Sequence, residues 1–389
     1  MRFGYTEEEK KLQQEIRDFF AKESDLLIRA QQEVGNSGIG RQGWKDNSWE
    51  LVRKLGKKRW LAPTWPEEYG GMNASYMQRF IIYEETAYHY GPGAFVGAGM
   101  AGPVIMRQGT EEQKKDFLPR IAQGEIEFAL GYTEPQAGSD LVALDIRAED
   151  KGDYYLMNGQ KVFNTRSHYA QYHWLGARTD SQVMPKHKGI SLFIVDLSSP
   201  GITVSPLWGM GGLRTNEVFY DNVKVPKTCR VGEENRGWYY IAEALDYERS
   251  FAVGGTKRTF ERLVDYVKEQ GDTLAKDPII RQRLADLRVQ IEIADLLAVR
   301  VPWMLDRGTI PTYEAAMLKM FSTETRQRLA NTATQCMGLY GQLLPDSKWA
   351  ALIGDIVELH LEAVSATFVG GTSEIMRNII ALRGLGLPR

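Results

Sequence analysis

Cysteine is nearly missing from this sequence: Cys229 and Cys336 are the only two in 389 residues. They lie far apart and in no CxxC spacing. That excludes a disulfide scaffold or a cysteine zinc site and fits a reducing cytosol. Long apolar runs are missing too. With no stretch of about 18 apolar residues, no transmembrane helix is expected. The opening run Met1-Arg2-Phe3-Gly4-Tyr5-Thr6-Glu7-Glu8-Glu9-Lys10 carries acid where a signal peptide carries its apolar core, so no secretory signal is expected. Charge of one sign is scarce: the net value is −2, which gives no support for a nucleic-acid or anionic-membrane partner. No internal repeat or low-complexity tract occurs. These absences lead to the expectation of a cytoplasmic protein without bound structural metal.

What is present is ordinary for a folded chain, with 43% apolar and 25% charged residues. The length calls for two or three domains. Thr6 and Glu9 have capping-box spacing ahead of an apolar series at Leu12, Ile16, Phe19 and Phe20, which predicts a helix. Residues 34–42 read as a loop, and helices are predicted near 47–59, 74–91 and 111–122. The character changes near residue 128. Tyr154–Asn158, Tyr172–Arg178, Ile190–Asp196, Ile202–Pro206 and Glu217–Val225 are short, β-branched or aromatic, and bounded by turn formers. Asn158-Gly159 reads as a hairpin turn, and the middle part as a small antiparallel β domain or barrel. From Gly237 the pattern is helical again, at 237–270, 278–305, 311–339 and 347–367, with a last helix after 371. Four long helices with short connections predict a bundle. The fold class is therefore α+β, with domains at 1–127, 128–236 and 237–389.

Four segments carry chemistry. Tyr132-Thr133-Glu134-Pro135-Gln136-Ala137-Gly138-Ser139-Asp140 clusters hydroxyls and backbone amides in a turn-rich loop. It suits the polar edge of a flat heterocycle, or simply links the helical and β domains. Asn158-Gly159-Gln160-Lys161-Val162-Phe163-Asn164-Thr165 places Phe163 and Thr165 on one face if the strand continues. Gln335-Cys336-Met337-Gly338-Leu339-Tyr340-Gly341 reads as a helix capped at Gly338. Thr367-Phe368-Val369-Gly370-Gly371-Thr372-Ser373-Glu374-Ile375-Met376-Arg377 closes the set.

In this order and at this spacing, the segments resemble the acyl-CoA dehydrogenase family over residues 5–389. The resemblance implies non-covalent FAD. It places Thr133 on the isoalloxazine edge with Tyr132 beside it, and Ser139 on flavin phosphate or bound acyl-CoA. Phe163 and Thr165 would meet the ring. The family usually has tryptophan where Phe163 stands, and a small residue or Asn-Gly where Arg166 and Ser167 stand. Gln335 and Gly338 match the turn that holds the adenosine-diphosphate half of FAD across a subunit boundary, although Leu339 replaces a common glycine. Thr372 and Glu374 match further cofactor positions. An arginine motif found in some members is missing, and Arg281 is the candidate for its charge.

The implied reaction is α,β-dehydrogenation of an acyl-CoA thioester. Its α-proton base in many members is a glutamate at the position of Gly370, where a glycine cannot serve. The Gly370 backbone N–H can still meet the thioester oxygen. Leu245-Asp246-Tyr247-Glu248-Arg249 resembles the L-D-x-E-R context of isovaleryl-CoA-type members, which implies Glu248 as the base and Arg249 as a CoA contact. Val96-Gly97-Ala98-Gly99-Met100-Ala101-Gly102 falls where members line the acyl tail. Val96 and Gly99 are the candidates there, and small residues suit either a bulky acyl group or tight helix packing. His89, just upstream, is expected to pack rather than to act as a base. The resemblance also implies electron-transfer flavoprotein as electron acceptor and a homotetramer, or a mixed tetramer. Other chemistry on the same fold, as an oxidase or β-eliminase, and a base-lacking structural subunit remain open at this point.

Overall fold

The structure is a computed structural model describing residues 4–34, 43–93, 95–248, 252–345 and 347–388. Six helices come first: α1 (Glu7–Lys22), α2 (Ser24–Val34), α3 (Asp46–Lys57), α4 (Tyr76–Tyr88), α5 (Gly102–Gln108) and α6 (Glu111–Ala122). The capping box at α1 forms as its spacing predicts. Thr6 Oγ1 accepts the Glu9 N–H at 3.0 Å, and the Glu9 carboxylate accepts the Thr6 N–H at 2.6 Å. Ser75 with Gln78 and Thr110 with Gln113 start α4 and α6 in the same way. A π-helical turn, Gly97–Ala101, leads directly into α5.

Eight strands follow: β1 (Phe128–Gly131), β2 (Arg147–Asp150), β3 (Tyr154–Lys161), β4 (Tyr172–Arg178), β5 (Ile190–Asp196), β6 (Ile202–Trp208), β7 (Arg214–Pro226) and β8 (Arg230–Val231). They form one sheet in the order β6-β7-β3-β2-β4-β5-β8, with β1 added against β4. Two expectations are corrected here. The sheet is not purely antiparallel, because β1 and β2 each run parallel to β4. Asn158-Gly159 is not a hairpin turn but lies inside β3, at a register shift against β7. Gly159 has φ +147°, and a Cβ there would come within 2.8 Å of Ile146. A bulge pressed against a neighbouring chain uses the same residue type as a turn.

The remaining helices are α7 (Gly237–Glu248), α8 (Gly254–Glu269), the short α9 (Asp272–Ala275), α10 (Pro278–Leu305), α11 (Tyr313–Met337), α12 (Asp355–Ala366) and α13 (Ser373–Ile379). The predicted first bundle helix, 237–270, is two helices. α7 packs on β5 and on the π-helical turn, whereas α8 packs with α10 and α11 and against α4. The start of α8 is pinned by Glu84, whose carboxylate accepts the Val253 N–H at 2.7 Å and pairs with Lys257 at 2.9 Å. α12 completes the bundle against α11.

Apolar burial ties the three parts together. One cluster joins Trp65, Val104 and Ile121 to Phe128 and Trp174 of the sheet and to Ile241 and Ala244 of α7. A second joins Ile16, Phe20, Leu51 and Ile81 to Ala298 of α10 and Leu318 of α11. No described helix is long and apolar enough to cross a membrane.

Candidate functional site

The Tyr132–Asp140 loop is fixed from below by an ion pair inside the sheet. Lys161, fully buried at the end of β3, donates to Glu134 Oε1 at 2.8 Å and to the Tyr132 carbonyl at 3.0 Å. The other Glu134 contacts are the N–H groups of Asp145 and Ile146, at 2.6 and 2.9 Å, and the Gln136 amide. Burial pulls the Lys161 ammonium below its usual range, and Glu134 opposes that shift. A buried charge pair is tolerated when further hydrogen bonds satisfy it, and both Glu134 oxygens have such bonds here. The Thr133 carbonyl accepts the Val162 N–H at 2.9 Å, which brings the loop beside the end of β3. Ser139 stands exposed further along it.

Beyond Lys161 the strand stops, so Phe163 and Thr165 do not share a strand face as the spacing predicts. Phe163 has φ +57°, and the Thr165 N–H bonds back to the Phe163 carbonyl at 2.9 Å in a tight turn. The turn is tied to β7 by reciprocal bonds. Asn164 N–H donates to the Asn216 carbonyl at 2.9 Å, and Asn216 Nδ2 donates to the Asn164 carbonyl at 2.8 Å. The Thr165 and Thr215 hydroxyls are 3.2 Å apart. Held this way, the Phe163 ring is 63% exposed. Among the described residues the buried Asn164 Oδ1 and Ser167 Oγ have no hydrogen-bond partner. An exposed aromatic face close in sequence to a pair of threonine hydroxyls fits a flat, hydrogen-bonding ring such as isoalloxazine.

The π-helical turn separates two uses of glycine. A Cβ on Gly102 would come within 2.1 Å of the Trp65 ring, and one on Gly97 within 3.2 Å of Glu127. These two glycines permit close packing. Gly99 faces open space, with no atom of the described residues within 4 Å of a Cβ built there. Val96 is buried beside it. π-helical turns concentrate at functional positions, and this one borders α7. The Glu248 side chain and all of Arg249 lie outside the described residues. His89 stacks on Phe20 at 5.1 Å, with burial pulling its imidazole below the usual range, which fits a packing role.

At the far end, α11 stops at Gly338, whose φ of +55° lets its N–H reach back to the Gln335 carbonyl. Gln335 hydrogen-bonds Arg283 of α10, a residue that sequence reasoning passed over. Arg281 instead turns to the Ala275 carbonyl at 3.2 Å. Two helical positions separate these arginines, so they point to different sides, and only the fold reveals which one meets Gln335. Gly370 and Gly371 have φ of +65° and +97°. Lys319 of α11 is 2% exposed and donates to the Gly371 carbonyl at 2.5 Å. Thr372 then caps α13. The Glu374 carboxylate is held below its usual range by its own N–H and by Thr372.

Three family models match in succession: the acyl-CoA dehydrogenase N-terminal domain over residues 6–125, middle domain over 129–223 and C-terminal domain over 235–385. Among curated relatives, acyl-CoA dehydrogenase FadE26 of Mycobacterium tuberculosis is 35% identical, covering 100% of this chain and 99% of its own. A solved structure described as the Tcur3481-Tcur3483 steroid ACAD is 35% identical with a TM-score of 0.92, covering 100% of both chains. The ChsE4-ChsE5 complex from Mycobacterium tuberculosis is 34% identical with a TM-score of 0.87, again over 100% of both. The protein belongs to the acyl-CoA dehydrogenase family and is an FAD-dependent oxidoreductase of acyl-CoA metabolism.

Proposed function

We propose that the protein removes the α- and β-hydrogens of an acyl-CoA thioester to give the 2-enoyl-CoA, with Glu248 as the α-proton base. One observation carries this reading: α7, which ends in Glu248, packs against the π-helical turn whose Gly99 faces open space. The base position of many members is occupied here by Gly370, whose backbone N–H is assigned as a donor to the thioester oxygen. Lys319 restrains that turn through the Gly371 carbonyl. A carboxylate in a closed apolar pocket has a raised pKa, which suits a base near neutrality. When bound, FAD supplies the hydride acceptor for the β-hydrogen. Tyr132, Thr133, Phe163 and Thr165 are assigned to its ring, with Ser139 beside them. Gln335, Gly338, Thr372, Glu374 and either Arg281 or Arg283 are assigned to its phosphate and adenosine parts. Arg249 is assigned to CoA, and Val96 and Gly99 to the acyl group.

We further infer a bulky acyl group. The open space at Gly99 supports it, as does similarity to a protein described as a steroid ACAD. Electrons would pass to electron-transfer flavoprotein in the cytoplasm. Exposed Leu339, Tyr340, Phe368 and Val369, close in sequence to the assigned cofactor residues, support a tetramer of identical chains. Similarity to a two-component complex favours a mixed tetramer as the second reading. The test is an anaerobic panel of linear, branched and polycyclic acyl-CoA thioesters. Flavin bleaching by polycyclic thioesters is the expected result. Rapid peroxide release in air would replace this reading with an oxidase, and product formation without flavin reduction would replace it with an eliminase.

A further inference from the structure

Directly after Thr165 the fold buries Arg166 in an ion pair. Arg166 is 4% exposed and Glu127, just before β1, is 2% exposed. Arg166 Nη1 lies 3.3 Å from Glu127 Oε2. The other carboxylate oxygen, Oε1, accepts the N–H groups of Gly97 and Phe128, each at 2.7 Å. Arg166 Nη2 donates to the Gly93 carbonyl at 3.2 Å, and the guanidinium sits 5.5 Å from the Trp44 ring centroid. Trp44, Trp49 and Phe95 border a void of about 10 Å³ against Glu127. Burial raises the Glu127 carboxyl above its usual range, opposed by Arg166 and by the N–H groups of Phe128, Gly97 and Val96.

Stability alone does not explain this pair. Taking two charges out of water is costly, and a well-packed apolar pair of the same volume is commonly as stable or more so. What the charges add is direction. The carboxylate grips the first N–H of the π-helical turn, and the guanidinium grips the carbonyl of Gly93 just ahead of it. The residue that does the latter follows Thr165 directly in the chain. Arg166 has φ +79° and Phe163 has φ +57°, left-handed conformations that persist in such residues only where surrounding contacts over-determine them. Gly97 leaves the space that lets the carboxylate approach.

We propose that Glu127 and Arg166 are positioning residues that lock the flavin-facing turn at Phe163–Thr165 to the acyl-side turn at Gly97–Gly99. They thereby set the separation between cofactor and acyl chain. The acyl half of this inference rests on the assignment of Val96 and Gly99 to the acyl pocket.

The test uses purified enzyme carrying Glu127→Gln, Arg166→Met, or the charge-free double replacement Glu127→Gln with Arg166→Met, in which the glutamine oxygen still accepts the Gly97 and Phe128 N–H groups. Two affinities are read without any chemistry. One is FAD affinity, by flavin titration of the apoprotein. The other is the affinity of a CoA thioether of the acyl group that bleaches the flavin fastest, by the shift it induces in the flavin band. Each single variant should weaken both affinities at least tenfold. The double variant should recover the melting temperature but neither affinity. Folded single variants with both affinities within twofold of wild type would overturn the proposal. So would a double variant whose affinities return together with its melting temperature. If neither single variant folds, the double variant decides on the same two readouts. A wild-type flavin band that no acyl-CoA moves would remove the acyl-pocket assignment, while the FAD titration would still judge the pair.

Discussion

Lys161 shows how one side chain can govern a loop it does not belong to. Its ammonium holds both the Tyr132 carbonyl and Glu134, so the candidate flavin loop depends on a charge buried in the sheet. Lys161→Met would leave the Glu134 carboxylate buried without its cation. Removing one partner of a buried pair costs about 3–5 kcal/mol, so urea unfolding should show a loss of that order. The purified variant should also carry less FAD than wild type. Full FAD content with unchanged stability would show that the pair neither holds the loop nor matters to folding. His173 makes a second prediction. It is fully buried beside Tyr220, with Nδ1 2.6 Å from the phenol oxygen, and burial pushes its imidazole down to about 3. The unfolded chain protonates this imidazole below about pH 6.5, whereas the folded chain resists until far lower pH. The unfolded state therefore binds the extra proton, and stability falls as pH drops through that window, by about 1.4 kcal/mol per pH unit from this group. Melting temperatures measured between pH 7 and pH 4 should show a shallower acid slope in His173→Asn than in wild type, and equal slopes would contradict the assignment. None of this was legible in the sequence. The burial of Lys161, Glu127 and Arg166 has no local mark, because it arises from contacts between segments far apart in the chain.

At the scale of elements, the sequence was most legible where local chemistry decides the outcome. The capping residues at Thr6 and the stop of α11 at Gly338 follow from short-range hydrogen bonding and backbone freedom. β4 and β5 have the bounds their apolar runs predict. The misreadings come from tertiary choices. Asn158-Gly159 could serve a turn or a bulge, and pairing with β7 selected the bulge. The parallel neighbours of β4 carry no local mark, since strand direction is set by connections elsewhere. The helix expected over 237–270 divides because its first part is claimed by the sheet and its second by the bundle. The π-helical turn gives the test at this scale. Gly102→Ala forces a methyl into the Trp65 ring, and overpacking of that kind typically costs about 1–3 kcal/mol. Gly99→Leu meets no atom of the described residues at its Cβ, so it should destabilise less than Gly102→Ala in the same unfolding measurement. The same leucine should raise the KM for the best polycyclic thioester while sparing a short linear one. Equal KM changes for both substrates would place Gly99 outside the acyl pocket.

For the whole molecule, the order of segments carried more than any one motif. Helices, a hydroxyl-rich loop, a strand end and a bundle closing on paired glycines identify the family together, and three consecutive family models match along the chain. What the order left unsaid is how the parts meet. Glu127 and Arg166 join the first helices to the sheet, Glu84 and Lys257 join them to the bundle, and Lys319 joins α11 to the turn at Gly370. The account depends on a division of labour across this assembly, with a backbone donor at Gly370 and a base carried by α7. The most direct measurement is anaerobic stopped-flow reduction of the flavin by the best thioester, in wild type and in Glu248→Gln. Loss of a positioned general base typically lowers the rate about 10²–10⁴-fold. The account predicts a fall of that order with FAD content and melting temperature unchanged, and flavin reduction at near the wild-type rate in Glu248→Gln would contradict it.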